Sequence, residues 1–227
     1  MKNIISASRL ALCCMAIMAF LNPAMVLAQD EAKNTGTRTH EQAVATPAGK
    51  FIQTSGDKAL TIIANKSLPQ EEVAKDFAGL LDEYFDLMTV GRFVIGRFWN
   101  SATEAQQQEY VELFKKLIIK NYGSKMSMYT GEGFKVTSTR VESDFDTVVS
   151  SQITHPGTTQ TTNIDWRVRD KNGKMGIIDV VIEGVSMSVT QKQEYASIIQ
   201  RNGGNIEPLL VLMRQQATIP DKVSQQQ

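Results

Sequence analysis

Residues 161–184 read TTNIDWRVRDKNGKMGIIDVVIEG, with two alternating apolar runs on either side of Asn172-Gly173. Alternation with a period of two indicates a strand that buries one face, and Asn-Gly is a strong turn signal. The stretch therefore predicts an antiparallel hairpin. The apolar positions of its first strand are Ile164, Trp166 and Val168, and those of its second strand are Ile178, Val180 and Ile182.

The length of the loop decides the register of this hairpin. A two-residue loop would place Asp179 opposite Trp166 and scatter the apolar residues over both faces. A three-residue loop with Gly173 in the left-handed conformation brings both apolar sets onto one face, so we predict that loop. Arg167 and Asp179 then share the other face as a diagonal ion pair. If Asp179 instead faced inward, burial would raise the pKa of its carboxyl, and it could serve as the base of a cone-shaped, isomerase-like enzyme.

The flanking sequence extends the hairpin into an α+β fold. Strands are predicted at 134–141, 147–154, 161–169 and 175–183, which gives a meander of four. Apolar residues spaced by three and four predict helices at 50–65, from Pro69 through Tyr84, and at 87–99, 103–128, 188–201 and from 206 onward. Gly56 weakens the middle of the first helix, and Thr103 with Gln106 resembles a capping box. We expect helices packed on one face of a curved four-stranded antiparallel sheet.

Composition excludes several functional classes. The 227 residues are 42% apolar and 21% charged, with 24 basic and 24 acidic side chains, as in an ordinary globular protein without the basic excess of a nucleic-acid binder. The chain contains none of the glycine-rich nucleotide motifs and no GxSxG motif. Its two histidines, His40 and His155, lie in a polar leader and beside a turn. We therefore predict no catalytic site, no metal and no cofactor.

The first 28 residues have the three parts of a secretory signal peptide. Lys2 and Arg9 form a basic start, an apolar run covers 10–21, and Val26-Leu27-Ala28 precedes a cleavage site after Ala28. We expect a signal peptide at 1–28, a flexible leader at 29–49, one domain at 50–217 and a flexible tail at 218–227. Both cysteines lie in the signal, so the exported chain would hold no disulfide.

Two weaker features concern charged residues. Asp82 and Asp86 are one helical turn apart and could share a proton or a cation, although a solvated helix face is the favoured interpretation; Asp86 could also cap the next helix. Arg97, within Gly96-Arg97-Phe98-Trp99, could hold an anionic head group at a cavity mouth or form a surface ion pair.

Methionine and phenylalanine are frequent, and both suit either an irregular core or a pocket for a flexible apolar ligand. Periodicity alone favours the core.

Two longer stretches carry a family resemblance. The first has LLDEYFD at 80–86, GRFW at 96–99 and ATE at 102–104, and the second has VIEGVSM at 181–187, EY at 194–195 and GG at 203–204. Their order and spacing resemble the MlaC-like periplasmic phospholipid carriers, also described as toluene-tolerance auxiliary proteins. The chain departs from the family at Phe98, Asn100 and Lys192, where tyrosine, arginine and arginine are frequent.

The resemblance implies a soluble carrier that binds phospholipid in an internal apolar pocket. Its implied partners are an outer-membrane lipoprotein complex and the substrate-binding ring of an inner-membrane ABC transporter. A carrier has a physical purpose, because exposing two acyl chains of about 16 carbons to water costs on the order of 20 kcal/mol or more, at roughly 0.8 kcal/mol per methylene. A carrier for hopanoid or another lipid, and a non-catalytic adaptor, are the alternatives.

We expect the acyl chains to lie between the apolar face of the sheet and the helices, with the phosphate at the mouth near Arg97. The expected lining residues are Phe93, Phe98, Trp99, Phe114, Ile118, Tyr122, Ile164, Trp166, Val168, Ile178, Val180, Ile182 and Met187.

Overall fold

A computed structural model describes residues 40–123 and 131–218. The predicted signal peptide, the first part of the leader, the end of the 103–128 helix and the tail after residue 218 lie outside these residues. The described helices are α1 (His40–Val44), α2 (Pro47–Ala64), α3 (Gln70–Tyr84), α4 (Leu87–Ile95), α5 (Glu104–Gly123), α6 (Met187–Arg201) and α7 (Glu207–Thr218). A 3₁₀ helix at Gly96–Ser101 follows α4.

The strands form one antiparallel sheet in the order β1-β2-β3-β4-β5. They are β1 (Gly133–Val141), β2 (Asp146–Thr154), β3 (Thr161–Lys171), β4 (Lys174–Ile182) and β5 (Val185–Ser186). The predicted α+β class and the four-stranded meander are confirmed. The fifth strand has two residues, too few for an alternating pattern to be recognised in sequence.

The hairpin loop differs from the prediction. Lys171 pairs with Lys174, and the two loop residues, Asn172 and Gly173, have φ values of 57° and 85°. This is the geometry of a two-residue type I′ turn, so the predicted three-residue loop is wrong.

A β-bulge in β4 restores the register that the short loop would otherwise lose. Arg167 lies opposite Asp179 and Val168 lies opposite Ile177, which leaves Ile178 as the extra residue. Trp166 consequently faces Val180 across the hairpin. The prediction of one continuous apolar face holds for Trp166 and Val180, but Ile177 takes the position beside Val168 that was assigned to Ile178.

Asp179 shares a face with Arg167, on the opposite side of the sheet from Trp166. Its carboxylate accepts hydrogen bonds from Ser186 Oγ at 2.6 Å and from the backbone N–H of Ser188 at 3.1 Å. Arg167 instead forms an ion pair with Glu142 at 3.0 Å. The predicted Arg167–Asp179 ion pair is wrong, because Asp179 is used to hold the chain where it enters α6.

The leader was predicted to be flexible through residue 49, and this is wrong for residues 40–49. Thr46 caps α2 by accepting a hydrogen bond from the N–H of Gly49 at 3.0 Å, and α2 begins at Pro47. Ala43 of α1 is fully buried, and the ring of His40 bonds to the carbonyl of Val136 on β1. The buried residues of this segment, Ala43, Ala48 and Gly49, are small, so composition does not reveal that it packs against the sheet.

The core has two main parts. The helical cluster contains Val90, Val94, Ile95, Phe98, Tyr110, Phe114, Leu117, Tyr195, Ile199, Ile206, Leu209, Leu210 and Met213. The sheet cluster contains Ala43, Ala48, Ile52, Tyr84, Val136, Val149, Val168 and Ile177. A linking cluster of Phe77, Leu81 and Leu87 lies between them: Phe85 packs against both the linking and sheet clusters, and Ile118 against both the linking and helical clusters.

Candidate functional site

The junction between α3 and α4 attaches the helices to the hairpin. Phe85 forms a parallel bridge with Ile177, and the N–H of Asp86 donates to the Ile177 carbonyl at 3.0 Å. Asp86 also caps α4, as predicted, by accepting from the N–H of Thr89 at 2.9 Å, and it forms an ion pair with Lys171 at 2.8 Å. The helical layer is therefore fixed to β4 at this point.

The hydrogen bonds and ion pairs of this junction show how Asp82 and Asp86, the two carboxylates one helical turn apart, are used. Burial raises the pKa of the Asp86 carboxyl, but hydrogen bonds from Lys171 and Thr89 outweigh burial, so the net pKa is lowered. Asp82 forms a separate ion pair with Lys115 at 2.6 Å. Each carboxylate is therefore bound by its own lysine, as expected of charged residues on a solvated helix face.

The sheet side of the expected pocket is centred on Trp166, which is partly buried. Its indole N–H donates to Ser151 Oγ at 2.8 Å, and Ser151 Oγ donates to the carbonyl of Ile164 at 3.2 Å. Phe134 meets the Trp166 ring edge to face at a centroid distance of 6.3 Å. Ile164 and Val168 are buried beside it, whereas Val180 and Ile182 on β4 are only partly buried.

The helix side contains three of the expected residues. Phe98 and Phe114 are buried in the helical cluster, where Phe114 stacks on Tyr110 at 5.8 Å and meets Tyr195 edge to face at 6.5 Å. Burial raises the pKa of both tyrosine hydroxyls, which keeps them neutral. Ile118 is partly buried and packs against both the helical cluster and the linking cluster.

The remaining expected residues are less buried than Phe98 and Phe114, and two of them, Trp99 and Ile178, pack against the helical cluster. Phe93 is 43% exposed and Tyr122 is 40% exposed, while Trp99 and Met187 are partly buried. Arg97 is exposed, with its guanidinium 5.0 Å from the centroid of the Phe98 ring. Ile178, displaced by the bulge, packs against the helical cluster.

An open groove of about 560 Å³ lies at the edge of the sheet cluster. It is lined by Ala45, Thr46, Pro47, Lys50, Phe51, Thr54, Glu83, Tyr84 and Met175. Phe51 and Tyr84 lie with their ring centroids 5.1 Å apart along it. The expected lining residues are absent from this described groove, and the segment around Thr46 that forms one of its walls was assigned to the leader.

Three residues near Trp166 and the linking cluster were not among the expected lining residues. Phe134 packs against the sheet cluster, Phe85 packs against both the sheet and linking clusters, and Ser151 Oγ accepts the indole N–H of Trp166. The alternation of the predicted 134–141 strand places Phe134 and Val136 on one face and could have identified Phe134. Ser151 carries no comparable signal, because a buried serine within a strand is recognised only from its partners.

The described residues hold no group of three or more histidine, cysteine, aspartate or glutamate side chains that could bind a metal ion. Among the same residues, every helix is too short or too polar to cross a bilayer.

Comparison with known proteins adds to this geometry. The protein-family model described as "MlaC protein" matches residues 53–215. The intermembrane phospholipid transport system binding protein MlaC of Haemophilus influenzae is 24% identical over 140 residues, covering 60% of this chain and 64% of that protein. Toluene tolerance protein ttg2D of Pseudomonas putida is 20% identical over 112 residues, covering 49% of this chain and 51% of that protein. The chain thus aligns with only about half to two thirds of the length of these relatives.

A solved structure has a similar fold. It is a phospholipid-binding protein from Ralstonia solanacearum in complex with a phospholipid, with a TM-score of 0.65 and 25% sequence identity. The similarity covers 74% of this chain and 95% of that one.

Proposed function

This chain belongs to the MlaC protein family, whose model matches residues 53–215, and on that premise we propose that it binds phospholipid and carries it through the periplasm. The observation that carries the proposal is the similarity to the Ralstonia solanacearum protein, which was solved with a phospholipid bound. The proposed partners are an outer-membrane lipoprotein complex and the substrate-binding ring of an inner-membrane ABC transporter.

We place the acyl chains against the partly buried apolar face of β3 and β4. Trp166, Val180 and Ile182 lie on this face, and Phe85 and Ile118 lie on the side of the helices. These side chains are neither fully packed nor fully exposed, so an apolar ligand could cover their remaining surface. Each methylene that moves from water into such a site contributes about 0.8 kcal/mol.

The pocket that we propose has fewer lining residues than the sequence analysis assigned to it. Phe98 and Phe114 support it from within the helical cluster, since they are buried against other side chains. Phe93 and Arg97 are exposed, and we do not assign them to the walls of the pocket.

The test is the lipid content of Val180→Asp and of the milder Val180→Thr. A charge on the sheet face should abolish phospholipid co-purification and uptake from liposomes, whereas threonine, which replaces one methyl group by a hydroxyl at nearly constant volume, should weaken both. Val141→Asp is the matched control, because Val141 is also a strand valine but is 67% exposed. Native mass spectrometry with lipid extraction measures occupancy and identifies the lipid, and circular dichroism verifies folding.

Wild-type protein with a stoichiometric phospholipid adduct, lost in folded Val180→Asp and retained in Val141→Asp, supports the proposal. A folded Val180→Asp variant with full lipid occupancy contradicts this pocket. A wild-type protein that is free of lipid and takes up none from liposomes contradicts the carrier function itself. An adduct of hopanoid mass would keep the carrier and change its cargo.

A further inference from the structure

The outer surface of α4, the 3₁₀ helix and α6 combines cations with aromatic rings. Lys192 Nζ lies 4.2 Å from the centroid of the Phe93 ring, and the Arg92 guanidinium lies 5.4 Å from that of the Trp99 ring. These contacts join α4 to α6 and to the 3₁₀ helix. We call this surface the cationic face, and it consists of Arg92, Phe93, Arg97, Trp99, Val189 and Lys192.

Within the described part of the chain, no carboxylate neutralises the positive charges of the cationic face. Arg92, Arg97 and Lys192 have no carboxylate within ion-pair distance among residues 40–123 and 131–218. By contrast, Lys171 near the start of α4 is paired with Asp86. Three cations on one surface, none paired with a carboxylate of the described residues, attract an anionic partner.

The same surface exposes apolar side chains. Phe93 is 43% exposed and Val189 is 41% exposed, and Val189 lies one turn before Lys192 on α6. A cation held over an aromatic ring can contact a phosphate while the ring beneath it remains available for apolar contact. Cations combined with exposed aromatic and aliphatic groups are typical of surfaces that lie at the interface of a bilayer.

We propose that the cationic face docks this protein onto the surface of an anionic phospholipid bilayer. The proposal deepens the proposed carrier function and rests on it, because a carrier gains from being held where its cargo enters and leaves. Trp99 of the cationic face packs against the helical cluster, and Ile178 of β4 packs against the same cluster, so the face is connected through this cluster to the sheet that holds the proposed pocket. The occupant we assign is lipid head groups, since charge complementarity with phosphate accounts for all three cations.

The experiment is sedimentation of the purified protein with vesicles of two compositions. One contains phosphatidylcholine alone, and the other contains phosphatidylcholine with phosphatidylglycerol. We expect binding to the anionic vesicles only, with an affinity that falls as salt is raised, because exposed charges are screened. Each cation removed should weaken binding about fivefold, so Arg92→Ser/Lys192→Ser should lose roughly 25-fold.

Matched controls separate this surface from general charge and hydrophobicity. Lys116→Ser removes an exposed lysine of α5, and Val211→Ser removes an apolar side chain of α7 that is 42% exposed. Both should bind anionic vesicles like the wild type. Phe93→Ser should lose binding at all salt concentrations, because it removes an apolar contact that salt does not screen.

Failure of the docking proposal can be distinguished from failure of the proposed carrier function, because vesicle binding and lipid content are measured separately. Arg92→Ser/Lys192→Ser should retain its phospholipid content by native mass spectrometry, since neither residue belongs to the proposed pocket. Wild-type protein that ignores anionic vesicles, or a folded double variant that binds them as the wild type does, would overturn the docking proposal whatever the lipid content. In either case the cationic face would be left for an acidic protein partner.

Discussion

Replacement of Gly56 by alanine tests how closely α2 approaches the sheet. A Cβ atom at residue 56 would lie 2.9 Å from Cγ of Phe134 and closer still to Cδ1 and Cε1. Optimal carbon–carbon separations are about 3.5–4.0 Å, so either α2 must lift or the Phe134 ring must turn away. Because Phe134 meets Trp166 edge to face, that movement would also disturb the sheet side of the proposed pocket.

Two opposing effects set the magnitude. Alanine is favoured over glycine inside a helix by about 0.8–1.0 kcal/mol, while overpacking of a well-filled site costs about 1–3 kcal/mol. Gly56→Ala should therefore lower the free energy of unfolding by an amount between nearly zero and about 2 kcal/mol. Gly79 is the matched control, since it lies inside α3 and a Cβ there would meet nothing within 4 Å. Gly79→Ala should stabilise the protein by up to about 1 kcal/mol.

Urea denaturation of the two variants measures both signs, and lipid occupancy measures the consequence for the pocket. The expected difference in unfolding free energy is about 1–3 kcal/mol in favour of Gly79→Ala. Phe134→Leu provides a second check, because in that background Gly56→Ala should no longer destabilise. Equal stabilisation by both alanine substitutions would refute the close approach of α2 to Phe134.

Further predictions concern polar contacts. Ser151→Ala removes a buried hydroxyl that makes two hydrogen bonds, and it should lower the free energy of unfolding in urea by about 2 kcal/mol. A double-mutant cycle with Trp166→Phe should show a coupling energy of about 1 kcal/mol, and additive effects would contradict the hydrogen bond between Trp166 and Ser151. Asp86→Ala should cost about 1–2 kcal/mol, because it removes both the cap of α4 and the ion pair with Lys171. Asp82→Ala, which removes a more exposed carboxylate, should cost less than about 1 kcal/mol, and equal losses would refute this ranking. Hydrogen bonds from Arg169 lower the pKa of the Asp146 carboxyl. The stability that they add is therefore present above the unfolded pKa of about 3.9 and is lost as the pH falls through the lower folded pKa. Asp146→Asn should reduce the loss of melting temperature at acid pH, and an unchanged loss would argue against this contribution.

Local patterns predicted much of the fold. The capping box forms, since Thr103 and Gln106 exchange hydrogen bonds at 3.1 and 3.2 Å, and Asp86 caps α4. Alternation placed the four long strands, because burial of one sheet face imposes a period of two along the chain. Such features depend on neighbours within a few residues, and for this reason they can be recognised without knowing the rest of the molecule.

The candidate site could be predicted from the sequence less well than the fold. Phe93, Phe98 and Phe114 look alike in sequence, yet Phe93 lies at the surface and the other two lie in the helical cluster. Their positions depend on how α4, α5 and α6 pack together. An apolar helix stripe predicts burial against something, but it does not distinguish a filled core from the wall of a pocket or a docking surface.

Gly56 and Ile178 show which features the sequence determines and which depend on tertiary packing. Sequence identified Gly56 as a weak helix former, and only the packing of α2 against Phe134 explains why a side chain is unwelcome there. Sequence required an apolar face on the hairpin, and that requirement was met by a bulge at Ile178 instead of a longer loop. Periodicity and composition reflect the need to bury apolar area, which many arrangements satisfy. Register, close approach and the boundary between core and surface depend on contacts between distant segments, so they emerge only when those segments have packed.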